Sequence, residues 1–378
     1  MPLPRLKINS DIRKISANEN GDRRSTIDSI FFYEGLRYSE GKYARINGKL
    51  IDCVGDEIDA VVWKNNWRLS KLYDYEDKFV ARIKGYKTFY YGEPQITINE
   101  IEPIPPSEDE YNELIKVYTE YKQKLSPSEK EDYKDELCRL INSINNKYYK
   151  RLLTDLYDNE MLEKFKEWTA AWERHHAFPG GLLVHTVNVA KKCDAIAQTS
   201  DVIDRDLLVT AALLHDIAKV KEYDGFPSKR RLYPGRLLYH AYMGAEMVAI
   251  QIYKYRNLGL DEYLEFSDFP KNLEIQLKHC ILSHHGMPEY GAAVKPMLLE
   301  ANILHMMDDA DAKEQYYKER VVESKEFDAN MPADKVRGFY DDFTKEFSYP
   351  TMHIQEYEEH AYKFEFEEPP EDEEELFF

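Results

Sequence analysis

Apolar and polar residues follow two regimes along the 378-residue chain. Residues 1–30 are polar without a clear period and read as a lead-in. From about residue 31 apolar residues recur in short runs, Tyr43–Val54, Ile58–Trp63, Lys78–Tyr86 and Gln95–Ile101, broken at Gly55-Asp56 and Gly92-Glu93-Pro94. Four or five short strands within about 70 residues predict a small β-barrel over 31–105, with the oligonucleotide-binding (OB) fold as its leading form. Pro103–Pro106 then reads as a linker, because paired prolines disfavour both helix and central strand.

Beyond the prolines the period changes. From Glu108 to about Arg174 a charged helical pattern carries apolar positions at Leu114, Val117 and Tyr121, then at Leu137, Leu140 and Ile141. Ser126-Pro127-Ser128-Glu129 marks a stop and restart, with serine as cap. Residues 181–313 are again helical, and the pattern stays mostly helical to about Phe347 before an acidic tail. No internal repeat recurs at a fixed period.

Composition narrows the class. An apolar content of 43% supports real cores, and no stretch approaches the ~18 uninterrupted apolar residues of a membrane span. The N-terminal MPLPRLKINSDIRK lacks the apolar core of a secretory signal. Cys53, Cys138, Cys193 and Cys280 are widely spaced and read as reduced thiols of a cytoplasmic protein. The net charge of −19 argues at first against nucleic acid, but the last 23 residues hold eleven acids against one lysine. Net charge therefore says little about a local groove. The tail itself reads as a solvated segment.

Candidate chemistry is concentrated in the second regime. Nine of the eleven histidines fall within residues 175–305. Apart from His279, which reads as a bystander, they occur as HHAFPGGLLVH (His175, His176, His185), LLHDIAK (His215, Asp216, Lys219), a lone His240, SHHG (His284, His285) and LHMMDDADA (His305, Asp308, Asp311). Such residues in apolar helical stretches are costly to bury without partners, and a shared metal is the partner that best explains so many. In the helix predicted over Asp206–Lys221, Leu208, Ala211, Ala212, His215 and Lys219 share a face, and adjacent His215 and Asp216 can reach one cation. His284 and His285 end a helix starting near Leu273, with Gly286 as its terminating residue. Glu300, Leu304, Asp308 and Asp311 form an acidic stripe within an apolar helix.

The order H…HD…H…HH…D resembles the HD superfamily of metal-dependent phosphohydrolases, with His185, His215-Asp216, His240, His284, His285 and Asp308 at the matching positions. HHAFPGGLLVHT, ALLHDIAKVKEY, ILSHHGMPEYG and EANILHMMDDADAK further resemble the YhaM family of 3′→5′ exoribonucleases, which joins an OB-like domain to an HD domain. The likeness is dense over about 165–315, looser over 40–165 and absent from the tail. It implies a β-then-α multidomain chain: lead-in 1–30, OB-like domain 31–105, helical connector 106–165, all-α HD domain 166–347 and acidic tail 348–378.

The resemblance implies two divalent ions, with Asp216 between them. His185, His215 and Asp308 would serve one, and His240, His284 and His285 the other. Asp216 and Lys219 are the catalytic candidates, Lys219 neutralising a phosphoryl oxygen. Mixed His/Asp ligation suits Mn²⁺, Fe²⁺, Co²⁺ or Zn²⁺, and the resemblance favours Mn²⁺. His175 and His176 contact the substrate or serve a structural role. His305 and Asp311 are expected to orient ligands.

In the β-rich part, Trp63, Trp67, Phe89, Tyr90 and Tyr91 lie among Lys64, Arg68, Arg82, Lys84 and Lys87. Aromatics interleaved with bases can stack single-stranded nucleobases, although a barrel also needs aromatics inside. Phe89-Tyr90-Tyr91 are the better platform, since adjacent strand residues cannot all point inward. The expected partner is single-stranded RNA or DNA, without a membrane, and the resemblance allows a homo-oligomer. The leading function is a metal-dependent 3′→5′ exoribonuclease releasing 5′-nucleotides. The alternatives are an HD phosphohydrolase of small or cyclic nucleotides and an inactive nucleic-acid-binding adaptor.

Overall fold

The computed structural model describes residues 26–39, 45–53, 57–63, 78–90, 93–122, 124–171, 176–226, 231–323, 339–341 and 346–348. The chain divides into two compact units, the first running to Gln123 and the second from Lys124 to Glu365. His175, Tyr91, Trp67, Lys64, Arg68 and the acidic tail lie outside the described residues.

In the first unit, β1 (Thr26–Ser39), β2 (Arg45–Ile51), β3 (Glu57–Trp63), β4 (Lys78–Tyr90) and β5 (Glu93–Pro103) close into a barrel in the order β1-β2-β3-β5-β4. β1 begins inside the stretch read as a lead-in. Its length lets it serve two neighbours: Thr26–Glu34 pair with β4 and Phe32–Ser39 with β2, with a bulge between Gly35 and Arg37. β3 and β5 run parallel and the other neighbours antiparallel, the topology of an OB fold.

Alternation fills the interior. Ile58, Ala60 and Val62 of β3 are buried while Glu57 and Asp59 are exposed, and Phe31, Leu50, Ile83, Ile96 and Ile98 complete the core. At Gly85 the β4–β5 register shifts, and a Cβ would lie 2.5 Å from the Thr97 carbonyl oxygen, so only glycine fits. Helix α1 (Asp109–Lys122) buries Leu114, sets the Tyr118 ring at a tilt against Phe32 of the barrel and ties Glu110 to Arg82 at 2.6 Å.

The second unit is helical: α2 (Pro127–Asn142), α3 (Lys147–Leu156), α4 (Asn159–Phe165), α5 (Gly181–Ala197), α6 (Arg205–Leu214), the single turn α7 (Lys219–Glu222), α8 (Tyr233–Leu238), α9 (His240–Asn257), α10 (Lys271–Ser283) and α11 (Leu299–Glu323). α2 starts on the capping box Ser126–Glu129. The stretch read as a connector is shared out: α1 belongs to the barrel unit, whereas Leu137, Leu140, Tyr149, Leu152 and Phe165 of α2–α4 join one core with α5, α6, α9, α10 and α11. Leu182–Val187 and Leu207–Leu214 are buried on every side, so α5 and α6 form the centre.

Two elements differ from the sequence pattern. Asp206–Lys221 is not one helix: α6 stops at Leu214, and His215–Ala218 form turns before α7. Side chains make the break affordable, because the Tyr157 hydroxyl donates to the Leu213 carbonyl and His215 Nδ1 to that of Ala212. Where the sequence pattern reads as helical to about Phe347, α11 is described to Glu323, and among the described residues beyond it Phe339–Asp341 (β6) and Glu346–Ser348 (β7) form an antiparallel ladder.

Candidate metal centre

The break after α6 is what builds the site. It lets His215 and Asp216 leave the helix side by side at the centre of the unit, both about 1% exposed or less. His185 comes from the first turns of α5. That helix can start close to the preceding loop only because of the Gly180-Gly181 pair: Gly180 has φ +86°, and a Cβ on Gly181 would lie 2.0 Å from the His176 carbonyl oxygen. His240 opens α9, His284 and His285 follow α10, and Asp308 lies on α11.

These side chains converge in two groups. His185 Nε2 lies 3.2 Å from His215 Nε2, 3.4 Å from Asp216 Oδ2 and 3.1 Å from Asp308 Oδ1. On the other side of Asp216, His240 Nε2 is 3.0 Å from His285 Nε2 and 3.3 Å from Asp216 Oδ1, with His284 Nε2 3.8 Å from that same oxygen. His185, His215 and Asp216 form one cluster with metal-binding spacing, and His240, His284 and His285 another.

The donor set fits cations. Nδ1 of His215 and of His284 donates to the carbonyls of Ala212 and Ile281, each at 2.7 Å. Nδ1 of His185 and of His240 donates to Asp311 and Glu222. In a neutral ring each such bond leaves the lone pair on Nε2, free for a cation. Nε2 atoms of two ring pairs face one another at 3.0–3.2 Å, His185 with His215 and His240 with His285. Asp216 Oδ1, Asp216 Oδ2 and His284 Nε2 are buried without a well-aligned hydrogen-bond partner.

Electrostatics agree. Burial alone would raise the carboxyls of Asp216 and Asp308, yet Lys219 and His215 beside Asp216, and His185 and His215 beside Asp308, hold both well below the usual range. Burial together with His285 and His215 pushes His284 well down, and burial with His240 takes His285 to about 4, so both rings are neutral at neutral pH. At His185 burial opposes the charged form, but Asp216, Asp308 and Asp311 outweigh it and favour positive charge there.

The remaining candidates fall as follows. Lys219 Nζ sits 2.6 Å from Asp216 Oδ2, buried with it. His176 is fully buried in a left-handed backbone (φ +54°) and bonds Asp311 Oδ2 at 2.8 Å; it does not face solvent. Asp311 thus gathers His176, His185 and Lys192. His305 donates to the His284 carbonyl at 2.9 Å and packs against Gly286, supporting the backbone of the paired histidines. In the barrel, the Arg45 guanidinium lies 5.5 Å from the Trp63 ring and 5.1 Å from that of Tyr90, which is 47% exposed. Lys87 is half-buried, and burial lowers the pKa of its ammonium. Phe89 lies in β4, and its side chain lies outside the description.

Sequence reasoning missed Glu222, fully buried and bonded to His240, and Arg231, its ionic partner at 3.0 Å. Glu222 stands among the charged residues Lys219, Lys221 and Asp224, so no local sequence signal set it apart. Tyr239, with φ +67°, carries no sequence signal for its strained backbone.

An HD domain family model matches residues 182–313. The 3′-5′ exoribonuclease YhaM of Bacillus subtilis is 31% identical over 264 residues, covering 70% of this chain and 77% of the relative. Its counterpart in Bacillus velezensis is 31% identical over 270 residues, with the same coverage of both chains. A solved structure of a replication protein A heterotrimer bound to ssDNA aligns with 26% of this chain and 68% of its own at 12% identity and a TM-score of 0.19, too distant to bear on function. The chain belongs to the YhaM family of 3′-5′ exoribonucleases.

Proposed function

We propose that this chain degrades single-stranded RNA from its 3′ end at a two-metal centre loaded with Mn²⁺. As a member of its family it is a metal-dependent 3′-5′ exoribonuclease; the ligand assignment, the ion and the polymer-gripping residues are our reading. The observation that carries it is Asp216, whose two buried oxygens each face a group of imidazole Nε2 atoms. His185, His215 and Asp308 would hold one ion, His240, His284 and His285 the other, with Asp216 shared. The mixed nitrogen and oxygen donors suit Mn²⁺ better than Mg²⁺.

Two bound divalent ions supply an activated water and neutralise charge on the scissile phosphodiester. The protein's own groups do the rest. Lys219, beside Asp216, is placed to meet a phosphoryl oxygen. Asp311 and Glu222 keep His185 and His240 in the ligating tautomer. Arg45, Trp63 and Tyr90 offer a cation between two rings, a surface on which bases stack while the guanidinium follows the backbone. The four free cysteines suit a cytoplasmic compartment.

The test is direct. Purified protein with Mn²⁺ is incubated with 5′-labelled single-stranded RNA, beside a cyclic nucleotide and a nucleoside triphosphate. A ladder of shortened 5′-labelled products that Asp216→Asn abolishes supports the reading. Turnover of the small molecules alone would replace it with a mononucleotide hydrolase, and RNA binding without turnover with an adaptor.

A further inference from the structure

We infer that Glu222, held by Arg231, is the positioning residue for the His240 metal position, and that the two positions are separately supported and separately removable. This rests on the two-metal reading above.

Among the described residues of the two clusters, His215 and His284 lean on backbone carbonyls, which any sequence would supply. His185 and His240 lean on carboxylates instead, one in each cluster. A carboxylate on Nδ1 fixes the ring and makes Nε2 a stronger donor. The two carboxylates are themselves held by different groups: Asp311 by Lys192 at 2.6 Å and by His176, Glu222 by Arg231 at 3.0 Å.

The Glu222 side is built closely. Its Oε2 accepts both the ring Nδ1 and the backbone N–H of His240, the latter at 3.2 Å. The residue before His240, Tyr239, has a positive φ (φ +67°, ψ 148°), and its ring packs tilted against the imidazole of His240 with centroids 4.3 Å apart. Gly235 lies against Glu222 so closely that a Cβ there would be 2.7 Å from Glu222 Cγ. The Leu232 N–H donates to the Glu222 carbonyl at 2.8 Å, tying the Arg231 segment to it. Such a construction around a fully buried carboxylate orients one imidazole.

The experiment uses the full-length protein. Mn²⁺ content after dialysis, Mn²⁺ titration and low-temperature EPR of the spin-coupled Mn pair are compared for wild type, Glu222→Gln, Arg231→Met and Asp311→Asn. Wild type should hold two Mn²⁺. Glu222→Gln should keep one tightly, bind the second ~10–100-fold more weakly and lose the coupled signal in favour of a mononuclear one. Excess Mn²⁺ should restore its activity. Arg231→Met, which leaves the carboxylate in place, should shift the second site in the same direction by a smaller factor, and it carries the test should Glu222→Gln fail to fold. Asp311→Asn should weaken one ion and leave the Glu222-supported one bound, so that the double variant binds neither tightly. Wild-type affinity for both ions in the Glu222 and Arg231 variants, or joint loss of both ions, overturns the inference while the two-metal reading stands. A wild-type protein that binds one Mn²⁺ overturns both.

Discussion

Lys219 Nζ lies 2.6 Å from Asp216 Oδ2, and both groups are buried among imidazoles. The ion pair holds the ammonium charged, its pKa raised by Asp216 against the burial that would lower it. On the function proposed above, it serves as a fixed positive charge beside the reacting phosphate.

Removing that charge separates chemistry from metal binding. Lys219→Met should lower the single-turnover rate on RNA by about 10²–10³-fold. Mn²⁺ stoichiometry should stay at the wild-type value, because the lysine competes with cations for Asp216 and does not recruit them. Loss of Mn²⁺ in step with activity would sink this role.

Gly286 is a second point of leverage. It has φ +77°, and a Cβ would fall 2.3–2.7 Å from the His305 ring. Gly286→Ala must strain the backbone or expel His305, whose Nδ1 holds the His284 carbonyl. A destabilisation of about 1–3 kcal/mol is expected, seen as a Tm lower by several degrees, with weaker Mn²⁺ binding at the paired histidines. An unchanged Tm would show that the turn relaxes freely.

The barrel can be tested apart from catalysis. Tyr90→Ala and Trp63→Ala, measured in an Asp216→Asn background by fluorescence anisotropy, should each weaken single-stranded RNA binding by about 1–3 kcal/mol, roughly 5- to 150-fold. Arg45→Met should weaken binding and flatten its salt dependence. Wild-type affinity in all three would move the platform elsewhere.

Much of this was legible in sequence because each rule is local. Strand alternation gave Ile58–Trp63, which is β3 from its second residue, and the Ser126 box marked the start of α2. The ligand-type residues stood out because His and Asp are costly in apolar stretches. The break at His215 was not legible: the i+3 and i+4 pattern continues through it, and the Tyr157 hydroxyl that satisfies the Leu213 carbonyl lies 56 residues away. His176 was open to substrate in sequence because nothing local reports that Asp311, 135 residues on, buries it. Glu222 went unnoticed for the same reason, since its partner His240 lies 18 residues on. Partners distant in sequence decide whether a polar residue faces water or a neighbour.

A last prediction concerns acid stability away from the metals. Glu274 on α10 is buried and meets Arg256 at 2.7 Å, Lys278 at 3.0 Å and Lys271 at 3.2 Å. Burial would raise its pKa, but the three cations outweigh burial and take it to about 2, from an ordinary 4.5. Between those values the unfolded chain binds the proton that the folded one refuses, so stability falls as pH falls. The contribution is fully present above about pH 5 and is lost as pH drops through the folded pKa. Glu274→Gln should therefore cost on the order of 2 kcal/mol at pH 7, and its deficit relative to wild type should narrow as the pH is lowered from 5 towards 3. Thermal midpoints of both proteins across that range are the measurement. A deficit that stays constant with pH would mean that the side chain stabilises through packing and not through its charge.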